Sequence, residues 1–266
     1  MKTVLVFLFI SAVTTGVSAK TIKYLGPGHV DVQDSISLRD LSQDVFQMPE
    51  HYLFDINWGW INAGQATLEL KPAEKPNLWK IQSLAWCNRF FQTFYPVYDT
   101  IFSLIDSRGI YPVHFEKNLH EGSYEAHIKS WFDQEIHKAW LQDTVCEIAP
   151  FTHDILSAFY YIRTQDLVPG KTFNMAAVSG KKKYTLVVIC HRKQTIEVPA
   201  GRFKTVVVEP KLTGVHLFKA KGKLTIWLTD DKRHIPVKMK SKIAVGSITA
   251  ELIQATGTVA IAPKKE

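Results

Sequence analysis

From Tyr52 to Trp60 large apolar residues alternate strictly with smaller or polar ones: Tyr52, Phe54, Ile56, Trp58 and Trp60 against Leu53, Asp55, Asn57 and Gly59. A period of two puts one set on each face of an extended chain, so this stretch predicts a half-buried β-strand and excludes a helix there. Ala66, Leu68 and Leu70 resume the alternation. Gly59 and Gly64 bracket the join, which is either a hairpin turn or a sharp bend in one long strand. The second half of the chain behaves alike. Leu186–Cys190, Thr195–Val198 and Phe203–Val208 are β-branched runs, the last two separated by the turn signal Pro199-Ala200-Gly201. Leu224, Ile226 and Leu228 face Ile235, Val237, Met239 and Ile243 across the polar loop Asp230–Arg233. A four-residue loop there predicts Leu224 opposite Met239, Trp227 opposite Pro236 and Lys223 opposite Lys240. Gly246 leads into a strand carrying Ile248, Ala250 and Leu252, followed by a last one through Val259.

One segment reads as a helix: Thr152 as cap, then Ile155, Leu156, Phe159 and Tyr160 as an apolar stripe ending at Arg163, before Pro169-Gly170. A weaker helical stretch runs from Cys87 to Tyr95, stopped by Pro96. Many antiparallel strands with one or two helices predict a mainly β fold, a curved antiparallel sheet or incomplete barrel with the helices against its open face.

Residues 1–19 read as a secretory signal peptide: Lys2, the apolar run Val4–Ile10, and a cleavage site after Val17-Ser18-Ala19. The run is too short to span a bilayer, so the expected mature chain carries no transmembrane segment and is exported, to the periplasm. Residues 20–49 form an N-terminal arm and 50–262 a single β-rich domain. The formal charge is +7, and +6 once Lys2 is removed, which suits an anionic lipid or glycan; an exported address argues against nucleic acid. Of three cysteines, Cys87 and Cys146 are the candidate bridge, and Cys190 lies in an apolar run.

The segment Asp154–Arg163, the turn Ala200-Gly201-Arg202-Phe203, and the stretch from Ile226-Trp227-Leu228-Thr229-Asp230-Asp231 through Arg233, Pro236 and Val237 to Gly246 resemble a family of exported bacterial proteins known only as a domain of unknown function. Trp58-Gly59 to Gly64 and Ile105-Asp106 to Pro112 match it too, so the resemblance covers roughly Tyr52 to Leu252. It implies a β-rich periplasmic protein and supplies no reaction. In architecture the chain is also similar to the half-barrel carriers that move lipoproteins or lipids across the periplasm.

No serine stands in a Gly-x-Ser-x-Gly elbow, and Ser157 lies inside the helix motif. His114, His120, His127 and His137 are spread over several segments without a metal-ligand spacing. The sequence therefore names no catalytic residue, no metal ligand and no cofactor. Asp230, Asp231 and Asp106 are the acids a hydrolase of an envelope polymer would use. Two patterns point to binding instead. Trp58, Trp60, Trp86, Phe90, Phe94, Tyr98, Phe159 and Tyr160 either fill the core or line a concave pocket for an apolar or lipid-like ligand. Lys221, Lys223, Lys238, Lys240 and Lys242 form a basic stripe on the last hairpin, serving edge protection or docking to another envelope component. Arg163 offsets the helix dipole or pairs with Asp106 or Asp154.

Overall fold

A computed structural model describes residues 39, 41, 43–213, 223–243 and 245–257. The alternating segments become strands of two meanders. The first is β1 (Glu50–Trp58), β2 (Ile61–Pro72), β3 (Leu78–Cys87), β4 (Tyr98–Asp106), β5 (Tyr111–Glu121), β6 (Tyr124–Asp133), β7 (Lys138–Leu141) and β8 (Thr144–Glu147). The second is β9 (Thr172–Ser179), β10 (Lys182–Val198), β11 (Gly201–Thr213), β12 (Leu224–Thr229), β13 (Pro236–Lys242) and β14 (Ser247–Thr256). Because β14 pairs with β1, the two meanders merge into one 14-stranded antiparallel sheet whose edges are β8 and β9. Two helices interrupt it, α1 (Arg89–Gln92) and α2 (Ile155–Arg163).

The edges do not pair, yet the chain between them laces the seam. His153 bridges in parallel to Ala177 on β9, Gln134 Nε2 after β6 donates to the Thr152 carbonyl at 3.2 Å, and Lys183 Nζ reaches the Glu147 carbonyl at 3.1 Å. A sheet of this width curls around more space than its own side chains fill. Helix α2 occupies that space: Leu156, Ala158, Phe159, Tyr160, Ile162 and Arg163 are all buried, against Phe54, Leu70, Ile81, Val206 and Met239 from strands of both meanders. The fold is thus an incomplete barrel with a helical plug.

Particular residues set the joins. The Gly59 alternative resolves as a hairpin, with Trp58 opposite Ile61, and Gly64 lies where a bulge shifts the β1–β2 register. A Cβ at Gly64 would lie 2.0 Å from the Trp86 carbonyl oxygen, so only glycine lets β2 approach β3 there. The Pro199-Ala200 turn closes β10 onto β11 with Val198 opposite Gly201, and the two expected runs 186–190 and 195–198 are one continuous strand. β14 likewise continues unbroken to Thr256, and the rest of the stretch expected through Val259 lies outside the described residues.

The last hairpin corrects the expected register. Thr229 N–H bonds the Ile235 carbonyl, so the loop is Asp230–His234, with a further irregularity between Trp227 and Leu228. Leu224 therefore opposes Ser241, Thr225 opposes Lys240 and Trp227 opposes Lys238. The extra loop residue is His234, held at a φ of 44° while its Nδ1 meets the Arg163 carbonyl at 2.7 Å. Away from the loop the slip totals two positions, so residues 224–227 and 238–241 keep their expected faces, whereas Leu228 now opposes Pro236.

The expected Cys87–Cys146 bridge does not form, and all three thiols are free. Cys87 ends β3 and Cys146 lies on β8, five strand spacings away, roughly 24 Å along the sheet against the about 4–7 Å that a disulfide spans between Cα atoms. The expected signal peptide and most of the expected 20–49 arm lie outside the described residues. Within the arm's described end, Val45 and Phe46 are buried in the core, so the packed unit begins before residue 50.

Candidate functional site

The entry to α2 is a buried polar knot. Asp154, not Thr152, caps the helix: its Oδ1 accepts from Ser157 N at 2.8 Å and its Oδ2 from Ser103 Oγ at 2.5 Å. Thr152 instead donates to the Ala149 carbonyl. Full burial raises the Asp154 carboxyl to about 6, against the lowering effect of those bonds. Beside it His153 is held well below the usual imidazole range by burial and by the Arg39 guanidinium. Arg39 Nη1 donates to His153 Nε2 at 3.0 Å, leaving Nδ1 3.2 Å from Ser157 Oγ. Ser157, His153 and Asp154 have the composition of a hydrolytic triad but not its wiring. The imidazole lone pair that would take a serine proton is engaged by Arg39, and the carboxylate bonds Ser103 and the helix backbone rather than the imidazole.

Two adjoining cavities flank the same end of α2. One, of about 40 Å³, lies between β5–β6 and β9–β10, with Lys117, Ser130, Ser179 and Asp154 as its polar wall and Phe115 and Ile128 as its apolar one. The other, of about 30 Å³, is lined only by apolar residues, among them Ala158, Phe159 and Ile162 of α2 and Val188, Val208 and Ile226 of the sheet. Ile155 and Leu186 line both. Together they make a trough that is wholly apolar at one end and partly polar at the other.

Lys117 at the polar end is depressed by burial, which the nearby Asp99 and Glu121 oppose. Burial pushes Glu121 up to about 7, reinforced by the like charge of Asp99, and pushes Asp99 up to about 6. Neither Glu121 carboxyl oxygen has a hydrogen-bond partner among the described residues. Paired strands place Asp99, Lys117 and Glu121 on the concave face with Ile101 and Leu119, an unexpected polar lining that period-two counting passes over as ordinary surface.

At the far end of α2, Arg163 is wholly buried. Its guanidinium donates to Glu50 Oε2 at 2.8 Å and Oε1 at 3.0 Å, to Tyr52 OH at 3.2 Å and to the Arg233 carbonyl at 3.1 Å, and it lies 5.0 Å from the Tyr160 ring centroid. Its partner is therefore neither of the two expected acids. Asp106 bonds Arg108, and Asp154 caps the helix.

The structure divides the aromatic residues named from the sequence. Phe159 and Tyr160 are inside, on α2, whereas Trp60, Phe90, Phe94 and Tyr98 are exposed. Trp86 opposes Tyr98 on the convex face, and Trp58 packs its ring on Phe91 with centroids 6.3 Å apart. These eight do not form one pocket wall: of them only Phe159 lines the trough, and its other aromatic lining is Phe115, Phe132 and Tyr184. Of the basic stripe, Lys238 pairs with Glu251 at 2.6 Å and Lys223 with Glu209 at 3.1 Å, Lys240 and Lys242 are exposed, and Lys221 lies outside the described residues. Asp230 meets Lys193 at 2.9 Å and Asp231 accepts from Thr229 Oγ1 and Arg233 N, so both acids serve the loop.

Comparison with known proteins agrees with this architecture. A family model described as protein of unknown function, DUF3108, matches residues 53–253. A crystal structure of a β-barrel-like DUF1849 protein from Brucella abortus is similar in fold, with a TM-score of 0.57 at 9% identity over 79% of this chain and 98% of that one. A Bacteroides fragilis protein of inferred export and YmcC-like fold aligns with a TM-score of 0.30 at 10% identity over 79% and 97% of the two chains. No curated protein matches the chain.

Proposed function

The chain belongs to the DUF3108 family of proteins of unknown function, and we propose that it is a non-catalytic exported binding protein for an amphiphile, its apolar chain lying between α2 and β10–β12 and its polar head at Lys117 and Ser130. The carrying observation is the trough: an all-apolar cavity that shares Ile155 and Leu186 with one lined in part by a lysine, two serines and an aspartate. That gradient suits a molecule with one greasy and one polar end. Each cavity alone has room for about one water, so an acyl chain enters by displacing the Ile155 and Leu186 side chains that separate the two. Ile155 is only half-buried, at the first turn of the helix, so displacing it disturbs less packing than displacing a fully buried side chain. The signal peptide expected over residues 1–19 supports putting this activity in the bacterial envelope.

A dansylated undecanoic acid tests the reading. The expected result is blue-shifted, saturable fluorescence with the wild-type protein and an affinity lowered by about tenfold or more, roughly 1.4 kcal/mol, in Leu186→Trp, which fills the trough. A wild-type protein that leaves the probe in water, or a Leu186→Trp variant that binds it unchanged, overturns the assignment.

A further inference from the structure

All strands run alternately up and down, so the turns fall at two ends of the barrel, and the two ends differ. One end carries the β1–β2 turn, α1 and the β13–β14 turn. There Trp60 is 91% exposed, Phe90 69%, Phe94 60% and Val245 68%. Trp60 tips the β1–β2 turn, and the neighbouring α1 is held firmly in place. Asn88 caps α1 through Phe91 N and anchors it to β2, its Nδ2 donating to the Asn62 carbonyl at 2.7 Å and its backbone N to that of Ala63. Phe91 turns inward under Trp58, which leaves Phe90 and Phe94 stacked outside with centroids 5.3 Å apart, and Trp58 Nε1 ties down the Val245 carbonyl at 3.0 Å. Rings fixed in water on a scaffold that could have buried them are an unusual expense for a monomer.

The charge at this end is mostly positive. Arg89, Lys182, Lys240 and Lys242 are exposed, and among the described residues no carboxylate pairs with them. Of its acids, Asp143 pairs with Lys181, Asp99 and Glu121 are buried, and Glu125 stays exposed beside His120, so the unpaired cations outnumber the unpaired carboxylates. At the opposite end Asp231 pairs with Arg233 and Asp166 with Lys171. Exposed tryptophan and phenylalanine ringed by cations is the chemistry of a surface that seats rings among acyl chains and cations against phosphates.

We infer that the Trp60–Phe90–Phe94 end docks onto a bilayer surface rich in anionic phospholipid. Ser179 and Gly180, which line the trough's polar end, lie in the β9–β10 turn at this same end of the barrel, so docking sets that part of the trough beside the lipid. The inference stands on the exposed end alone and does not require the trough to bind anything.

Co-sedimentation with vesicles of phosphatidylglycerol and phosphatidylethanolamine, compared with vesicles of phosphatidylcholine alone, tests it. Binding is expected to the anionic vesicles, weaker on the neutral ones and reduced by raising salt. A Trp60→Ser/Phe90→Ser/Phe94→Ser variant should lose about tenfold or more in partition with its thermal midpoint unchanged, since these side chains bury little in the free protein. Lys240→Glu/Lys242→Glu should flatten the salt dependence, and Leu186→Trp should dock as wild type, which separates docking from uptake. No partition on either vesicle, as for an end that meets a protein partner instead, or full partition in the triple variant, overturns the inference.

Discussion

Replacing Arg163 by methionine keeps the length and apolar bulk of the side chain while removing its charge. In the native fold that charge is fully buried and donates to both Glu50 oxygens, to Tyr52 OH and to the Arg233 carbonyl. Arg163→Met therefore strands the Glu50 carboxylate, itself 5% exposed, with no cation beside it, and leaves a loop carbonyl unpaired. Breaking a buried ion pair from one side costs about 3–5 kcal/mol. For a domain of this size that corresponds to a fall in melting temperature of roughly 6–20 °C. Because the same links hold α2 to β1 and to the β12–β13 loop, the loss should appear as one cooperative shift rather than local fraying. Urea and thermal denaturation followed by circular dichroism measure it, together with Glu50→Gln and the double variant. The double variant should recover part of the loss, since no uncompensated charge remains, giving a coupling of about 2 kcal/mol or more. A single variant that costs less than about 1 kcal/mol, or a double variant that costs the sum of the singles, would refute the claim that this pair locks the plug.

Other expectations follow from the concave face and the strand joins. Glu121 holds its proton up to about 7 in the fold but only to its ordinary 4.5 when unfolded, so the native state binds more protons between those values and its stability falls as pH rises through them. Glu121→Gln removes that loss, so its urea midpoint relative to wild type should be higher at pH 8 than at pH 5; an equal difference at both would rule out the buried carboxyl. The variant comparison is needed because His153, depressed by burial, pushes in the opposite direction as pH falls below its ordinary value. With three free thiols, a reducing agent should leave the melting temperature unchanged, and a fall on reduction would mean a bridge. Gly64→Ala forces β2 away from the Trp86 carbonyl and should cost about 3 kcal/mol by urea denaturation; a neutral substitution would show that the β2–β3 approach is looser than 2.0 Å implies.

The strands were legible because burial on one face imposes a period of two on Tyr52–Trp58 and Ala66–Leu70, and the Pro199-Ala200 turn declared itself through its residues. Helix α2 was legible from Ile155, Leu156, Phe159 and Tyr160, but its cap was misplaced because Thr152 and Asp154 are both good caps and only the Ser103 contact selects between them. What lies far apart in sequence stayed hidden. Glu50 and Arg163 are 113 positions apart, and nothing local marks either as the other's partner. The last hairpin slipped because His234 adopts a left-handed conformation that its contact with Arg163 supports, a tertiary cause invisible to loop counting. The aromatic residues divide for the same reason. Phe159 and Trp60 are equally apolar, and only the sheet order shows that one fills the barrel while the other tips a turn.

The assignment of an amphiphile site is tested most directly by native mass spectrometry of the full-length protein gently purified from the cells that make it, with organic extraction of what it carries. The expected spectrum contains a bound species that is released into the organic phase as a lipid-like molecule and is absent from Leu186→Trp. A spectrum holding only the bare polypeptide, or the same adduct undiminished on the filled variant, would contradict a binding trough beneath α2.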